Sequence, residues 1–207
     1  MTYIPQMKSS LPSVKILFAS ILFMTSVLVF SGCIKDVLNP DKTGSFVKYT
    51  IPKGGQSSTP SVYKYFTNIS VLAFDVRFDS TAIYQTVLPS NQADINKLYG
   101  FADDNKPHWV SSARIGWRWF GNELQLMGYV YNDSVNVNQL ITAVPLNKDI
   151  TCSIQVNGSK YTFTANGKSI ELPRTAKSTG GLGYRLFPFF GGDEMAPHEM
   201  YIFVREN

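Results

Sequence analysis

Residues 112–132 read SARIGWRWFGNELQLMGYVYN, two alternating runs on either side of Gly121-Asn122. Gly-Asn between such runs predicts a two-residue hairpin turn of the primed type, whose central positions need the positive φ that these residue types tolerate. The turn sets the register. Counting outward, Phe120 faces Glu123, Trp119 faces Leu124, Arg118 faces Gln125, Trp117 faces Leu126 and Arg114 faces Tyr129. A period of two then separates the faces. Ile115, Trp117, Trp119, Leu124, Leu126 and Val130 share the core side, and Arg114, Arg118, Glu123, Gln125, Tyr129 and Tyr131 share the other. In this register Trp117 and Trp119 are packing residues. Arg114, Arg118, Tyr129 and Tyr131 are the candidate ligand-binding residues, since guanidinium forks suit carboxylate or sulfate and tyrosine rings offer stacking area with a polar tip. The competing reading is a solvated sheet face on which Arg and Tyr pair with each other.

The same turn chemistry continues downstream, where Asn157-Gly158 and Asn166-Gly167 each join short alternating runs and predict a meander. It places Ile150, Cys152, Ile154 and Val156 beside Tyr161, Phe163 and Ala165, then Ile170 and Leu172, on one side. Cys152 is thus expected as a small buried hydrophobe, with no signal of a nucleophile around it. Upstream, Leu72, Phe74, Val76 and Phe78 alternate with Ala73, Asp75, Arg77 and Asp79, a half-buried strand with Asp75 and Arg77 as neighbours on a solvated face. Asp75 and Asp79 lie four residues apart on a strand, about 13 Å. Glycosidase pairs need about 5 Å or about 6.5–9.5 Å, so they are not a catalytic pair. Asn91 to Leu98 is expected as a short helix. Lys53 to Ser61 is a loop without the lysine pattern of a phosphate site. Asp103-Asp104-Asn105 reads as a turn, with calcium ligation the alternative.

Before the domain, Lys8 and Lys15 precede a charge-free run from Ile16 that ends in Ser31-Gly32-Cys33. This is the pattern of a signal peptide over residues 1–32. The nineteen uncharged residues Ile16 to Ile34 approach the ~20 needed to cross a bilayer, so length alone leaves a retained anchor open. Ser31-Gly32-Cys33 resembles the lipobox of bacterial lipoproteins, which implies lipidation at Cys33. Two acyl signals suffice for stable anchoring, so the expected partner at this end is a membrane. Ile34 stands where Asp would favour inner-membrane retention in Gram-negative lipoproteins, and the resemblance therefore implies the outer membrane. Met1 and Met7 are both candidate initiators. Residues 33–45 read as the lipidated cysteine and a tether rich in turn formers, and residues 46–207 as one domain.

The full chain carries 19 basic and 15 acidic residues; Lys8 and Lys15 lie in the leader and no acid does, so the balance falls from +4 to +2 without it. No basic cluster remains, which argues against nucleic acid as a partner. With Cys33 lipidated Cys152 is alone, and the core must supply stability without a disulfide.

Toward the C-terminus, Leu186-Phe187-Pro188-Phe189-Phe190 is apolar on both faces and is expected in the deep core. Met200 to Arg205 reads as the last strand. The strings Tyr184 to Gly192 and Ala196-Pro197-His198-Glu199-Met200 resemble the closing strands of concanavalin-like jelly-roll proteins among exported lipoproteins, over roughly Trp109 to Arg205. The resemblance implies an all-β fold, an antiparallel two-sheet jelly-roll sandwich, with an open face that in many relatives receives a polysaccharide. Short strands joined by Gly and Asn turns argue independently for a sandwich or barrel. The Glu-x-Asp-x-x-Glu strand of laminarinase-like glycosidases is absent. So are the Arg-x-Glu-Leu-Arg, Gln-Ile-His and Tyr-Phe-Lys-Ala-Gly strings of alginate-lyase-like jelly rolls, and a Gly-x-Ser-x-Gly elbow. The densest titratable group is His198 with Asp193, Glu194 and Glu199, which makes His198, Glu194 and Glu199 the candidates for acid–base chemistry. The competing reading is a solvated turn before the last strand. Two histidines, His108 and His198, are too few for a zinc site, and neither metal nor cofactor is expected. Three functions fit: a lipoprotein that binds a polysaccharide or oligosaccharide, a polysaccharide lyase or glycoside hydrolase, and a structural or assembly lipoprotein.

Overall fold

Gly121 and Asn122 both hold positive φ, at 62° and 63°. They close the hairpin between β5 (Ser111–Phe120) and β6 (Glu123–Asn132), with Trp119 opposite Leu124 and Arg114 opposite Tyr129. Asp133 and Ser134, at 49° and 70°, repeat the device and lead into β7 (Val135–Val144). The computed structural model describes Met1 and residues 44–207. The expected signal peptide, Cys33 and the tether as far as residue 43 lie outside the described residues. Among the described residues no helix is long and apolar enough to cross a membrane.

Two antiparallel sheets of six strands face each other. One runs β2 (Tyr65–Ile69), β11 (Gly181–Leu186), β4 (Asn96–Ala102), β5, β6, β7. The other runs β1 (Val47–Ile51), β12 (Met200–Glu206), β3 (Val71–Phe78), β8 (Ile150–Asn157), β9 (Lys160–Ala165), β10 (Lys168–Pro173). Local hairpins build β5–β6–β7 and β8–β9–β10, while the pairings of β11 with β4 and β12 with β3 bring distant segments together, as in a jelly-roll sandwich.

In the meander, Asn166 and Gly167 (φ 49° and 74°) form the expected turn. The other turn is displaced by one residue. Gly158 and Ser159 occupy it and Asn157 pairs with Lys160. Displacing both central positions by one shifts the pairing by two, which changes the partners and preserves the faces: Cys152 pairs with Ala165 in place of Phe163, and Ile154 with Phe163 in place of Tyr161. Cys152 is fully buried, and burial pushes its thiol pKa up.

The core lies between the sheets. Trp117 is fully buried, its ring 5.2 Å from Phe78 and edge-on to Tyr84 at 5.8 Å. Such aromatic pairs contribute about 0.5–1.5 kcal/mol beyond the apolar area they bury. Trp119 is half-buried against the same cluster.

Three expectations are corrected. Asn91 to Leu98 is not a helix: a 3₁₀ turn spans Pro89–Ala93 and β4 begins at Asn96. Asn96 is buried, donating to Tyr84 Oη (2.9 Å) and accepting from the Gly191 amide (2.8 Å). A register shift between Lys97 and Tyr99 breaks the alternation, so this central strand carries no period of two. Asp75 is not solvated; it is fully buried on β3 between β12 and β8. Its partners include Arg205, opposite it on β12, through Nη2 (2.6 Å) and Nε (3.2 Å), and Thr151 Oγ1 (2.9 Å). Arg77 pairs with Asp149 instead (3.3 Å), and Phe46 packs against both guanidinium groups. The run Leu186 to Phe190 is only in part core, since Leu186, Phe187, Pro188 and Phe189 also wall a cleft.

Candidate ligand-binding cleft

The face of β4, β5 and β6 turned away from the core forms the floor of a cleft of about 400 Å³. Arg114 rises from β5 between Gly100 of β4 and Tyr129 of β6. At Gly100 a Cβ would fall 2.1 Å from the Ala113 carbonyl oxygen, so only glycine lets β4 lie this close. The walls come from three loops. His108 and Trp109 follow β4, Ser57, Ser58 and Ser61 follow β1, and Leu186 to Phe189 end and follow β11. Backbone bonds hold the wall to the floor: Lys97 and Phe189 exchange N–H···O bonds of 2.9 Å in both directions, and Ser58 N donates to Pro188 O (3.2 Å).

Arg114 is 8% exposed, and among the described residues no carboxylate lies within ion-pair distance and its Nε has no hydrogen-bond partner. Tyr129, Tyr184 and Tyr131 act on it electrostatically, and it acts in turn on Lys97 and His108. Burial lowers its pKa to about 10, which leaves it a cation at neutral pH. Ser58 Oγ, buried in the wall, likewise has no partner among the described residues. Lys97 Nζ stands 5.0 Å from the centroid of Tyr129. Burial, then Arg114, brings its pKa down to about 8, against an opposing pull from Asp94. Burial, then Arg114, also holds His108 at about 4, so its imidazole is neutral at pH 7. The His108 amide donates to Tyr184 Oη, which also lies 3.2 Å from His108 Nδ1. Trp109, 57% exposed, stands edge-on to His108.

A second cavity of about 360 Å³ adjoins the first through Lys97 and Tyr129, and is lined also by Asp94, Arg118, Asn136 and Asn138. Of the four residues proposed from the hairpin, Arg114, Tyr129 and Tyr131 thus line the cleft, while Arg118 lies in the adjoining cavity. Arg118 Nε donates to Gln125 Oε1 (2.9 Å) and Nη1 to Ala93 O (2.8 Å), and its guanidinium packs on Phe120.

Glu194, His198 and Glu199 line neither cavity. Glu194 accepts from the amides of Val87 (2.8 Å) and Leu88 (2.9 Å) and from Asn91 Nδ2 (3.0 Å), and the two amides hold its carboxyl below the ordinary range. His198 Nε2 meets Thr81 O at 2.9 Å, and Glu199 accepts from the Tyr201 hydroxyl. These three brace loops. Asp103 and Asp104 are engaged as well, by Arg174 (2.9 Å) and Lys106 (3.1 Å). Among the described residues no group of three or more His, Cys, Asp or Glu is placed to hold a metal.

Sequence reasoning missed Lys97, Asp94, Asn136 and Asn138, and it assigned no place to Trp109. Lys97 and Asp94 lay in the segment expected as a helix. Asn136 and Asn138 follow from the hairpin register once the Asp133-Ser134 turn is seen, since they face Tyr131 and Tyr129.

No family model and no curated protein matches the chain. Solved structures do resemble it. Alginate lyase AlyC3 superposes with a TM-score of 0.52 at 8% identity, over 78% of this chain and 74% of that one. SCLam, a non-specific endo-β-1,3(4)-glucanase from family GH16, gives 0.50 at 8% identity, over 79% and 71%. A structure described under endo-acting O-glycanases of human gut microbiota gives 0.50 at 14%, over 78% of each chain. At these identities the likeness is one of fold. The chain is an antiparallel jelly-roll sandwich of the kind these enzymes share.

Proposed function

We propose that the protein is a lipoprotein, anchored in the outer membrane through Cys33, that binds an anionic polysaccharide or oligosaccharide in the cleft over Arg114. The observation that carries the binding reading is Arg114 itself: a buried cation with a free Nε at the bottom of an aromatic cleft. An unpaired buried charge is costly, and a ligand carboxylate or sulfate would complete it with charge-assisted hydrogen bonds. Tyr129, Tyr131 and Trp109 supply ring surface for a pyranose. Resemblance to structures named for a lyase and glycanases supports a carbohydrate ligand. The Ser31-Gly32-Cys33 string supports the anchor. A glycan array with the full chain tests binding, with anionic polymers expected to be retained and uncharged ones not. Mass spectrometry of membrane-extracted protein tests the anchor, with a diacylglyceryl amino-terminal cysteine at position 33 expected.

His108 favours a second reading, polysaccharide lyase. In the tautomer that donates Nδ1–H to Tyr184, Nε2 keeps its lone pair and could take the proton α to a uronate carboxylate neutralised by Arg114. The electron pair left behind forms the ring double bond, the glycosidic C–O bond breaks, and the leaving oxygen takes a proton. Unsaturated products from a polyuronate, lost in His108→Ala, would establish this reading over binding alone.

A further inference from the structure

The two adjoining cavities differ in charge and in the hydrogen bonds they still need. The Arg114 cleft is lined by Lys97 and Arg114 and, among the described residues, by no carboxylate. The second cavity sets Asp94 against Lys97 and Arg118, and two of the Arg118 donors are already occupied by Gln125 and the Ala93 carbonyl. The pairing of β7 with β6 places Asn136 and Asn138 on the face of Tyr131 and Tyr129. Asn136 Nδ2 donates to Val130 O (3.0 Å) and Asn138 Nδ2 to Asn136 Oδ1 (2.9 Å), which leaves Asn138 its Oδ1 as an acceptor and one N–H as a donor. Asp94 and Asn138 Oδ1 call for donors. A hydroxyl or an amide both donates to these and accepts from the remaining N–H groups of Lys97, Arg118 and Asn138, whereas a carboxylate brings only acceptors and leaves Asp94 without a donor.

We infer that the second cavity is a subsite for an uncharged sugar unit next to the anionic one, so that the ligand alternates charged and neutral units. This rests on the anionic-glycan reading above. Lys97 and Tyr129 belong to both cavities, so one chain lies across both without a gap. The site discriminates against a homopolyuronate, whose neighbouring carboxylate would face Asp94, and against a neutral glucan, which leaves Arg114 unpaired.

Calorimetry with the full chain and three octasaccharides tests it: alternating glucuronate and N-acetylglucosamine, galacturonate alone, and glucose alone. The alternating octasaccharide is expected to bind at least ~10-fold more tightly than either other, a difference of ~1.4 kcal/mol. In Asn138→Ala and Asp94→Asn the preference over the galacturonate octasaccharide should shrink toward one while that over the glucose octasaccharide, set by Arg114, remains, with circular dichroism and melting unchanged to show that the fold persists. Equal or tighter binding of the galacturonate octasaccharide overturns the inference while leaving the anionic-glycan reading in place. Equal binding of the glucose octasaccharide, or no binding of any of the three, overturns that reading and the inference together. A preference over the galacturonate octasaccharide that survives both substitutions also overturns it.

Discussion

Arg174 and Arg114 are both buried, at 5% and 8% exposure, in opposite surroundings. Arg174 has a partner on every side: Nε donates to Asp103 Oδ2 (2.9 Å), Nη2 to Ser178 Oγ (2.9 Å) and Gly180 O (3.2 Å), and Nη1 to Gly158 O (3.2 Å). Asp103 in turn accepts from Tyr161 Oη (2.5 Å) and the Leu182 amide (3.0 Å). Arg114 is influenced by the hydroxyls of Tyr129, Tyr184 and Tyr131, and among the described residues no carboxylate pairs with it. The fold is able to satisfy a buried guanidinium completely, and does so where the guanidinium ties the loop after β10 to the loop after β4. A cavity opens beside each, but beside Arg174 the donors are already taken, whereas at Arg114 the desolvation of a cation is left uncompensated on the floor of the cleft. The contrast separates a cation that holds structure from one that awaits a partner.

Removing Asp103 gives the largest expected effect. Asp103→Asn leaves Arg174 buried without its countercharge and should cost about 3–5 kcal/mol in urea denaturation. Arg114→Met should behave oppositely, with stability within about 0.5 kcal/mol of the parent or above it, because a charge already unpaired is lost. Binding of an anionic glycan should fall by about 1.5–3 kcal/mol, the scale of a hydrogen bond to a charged group. If Arg114→Met instead unfolds as Asp103→Asn does, the two arginines are alike and the cleft loses its rationale.

Protonation sharpens the comparison. Lys97 has a folded pKa of about 8 against 10.5 in the unfolded chain. Between those values the unfolded chain holds a proton that the folded protein has released, so stability rises with pH across this window. Over the same window Lys97 loses its charge, and anion binding should weaken. His108, at about 4 against 6.5, works on the acid side: the unfolded chain takes up a proton first, and stability falls as pH drops from 6.5 to 4. Denaturation curves of Lys97→Met and His108→Gln should lose the alkaline and the acid slope respectively. A parent slope retained in Lys97→Met would show that another group titrates there.

How far the cleft could be read in advance follows from where each residue sits. Arg114, Tyr129 and Tyr131 were legible because one turn with two positive-φ residues sets every pairing out to Asn132. The meander was legible for the same reason, and even its displaced turn kept the faces, since a shift by two preserves parity. Lys97 was not legible: the irregular step before Tyr99 removes the alternation by which a strand is recognised. Asp75 was misplaced because alternation tells which face a residue takes and not whether Arg205 and Phe46 cover that face. The walls from His108 and from Leu186 to Phe189 depend on contacts between distant segments, such as Lys97 with Phe189, for which local sequence carries no signal.

Arg118 gives the smallest effect and tests the contrast from its middle. It carries the same charge as Arg114 on the same strand face, yet Gln125 and the Ala93 carbonyl hold two of its donors and Asp94 lines the same cavity. If the free guanidinium is what matters, Arg118 acts on an anionic ligand mainly as a distant charge. Such an interaction in solvent is worth about 0.2–1 kcal/mol and is screened, the Debye length being about 8 Å at physiological salt and about 3 Å at 1 M. Arg118→Ala should therefore weaken binding by less than about 1 kcal/mol at physiological salt and by nothing measurable at 1 M, whereas the loss in Arg114→Met should persist at 1 M because a direct contact to a buried guanidinium is screened much less. Calorimetry of the two variants at both salt concentrations decides. A loss in Arg118→Ala as large and as salt-resistant as that in Arg114→Met would move the anionic unit into the second cavity.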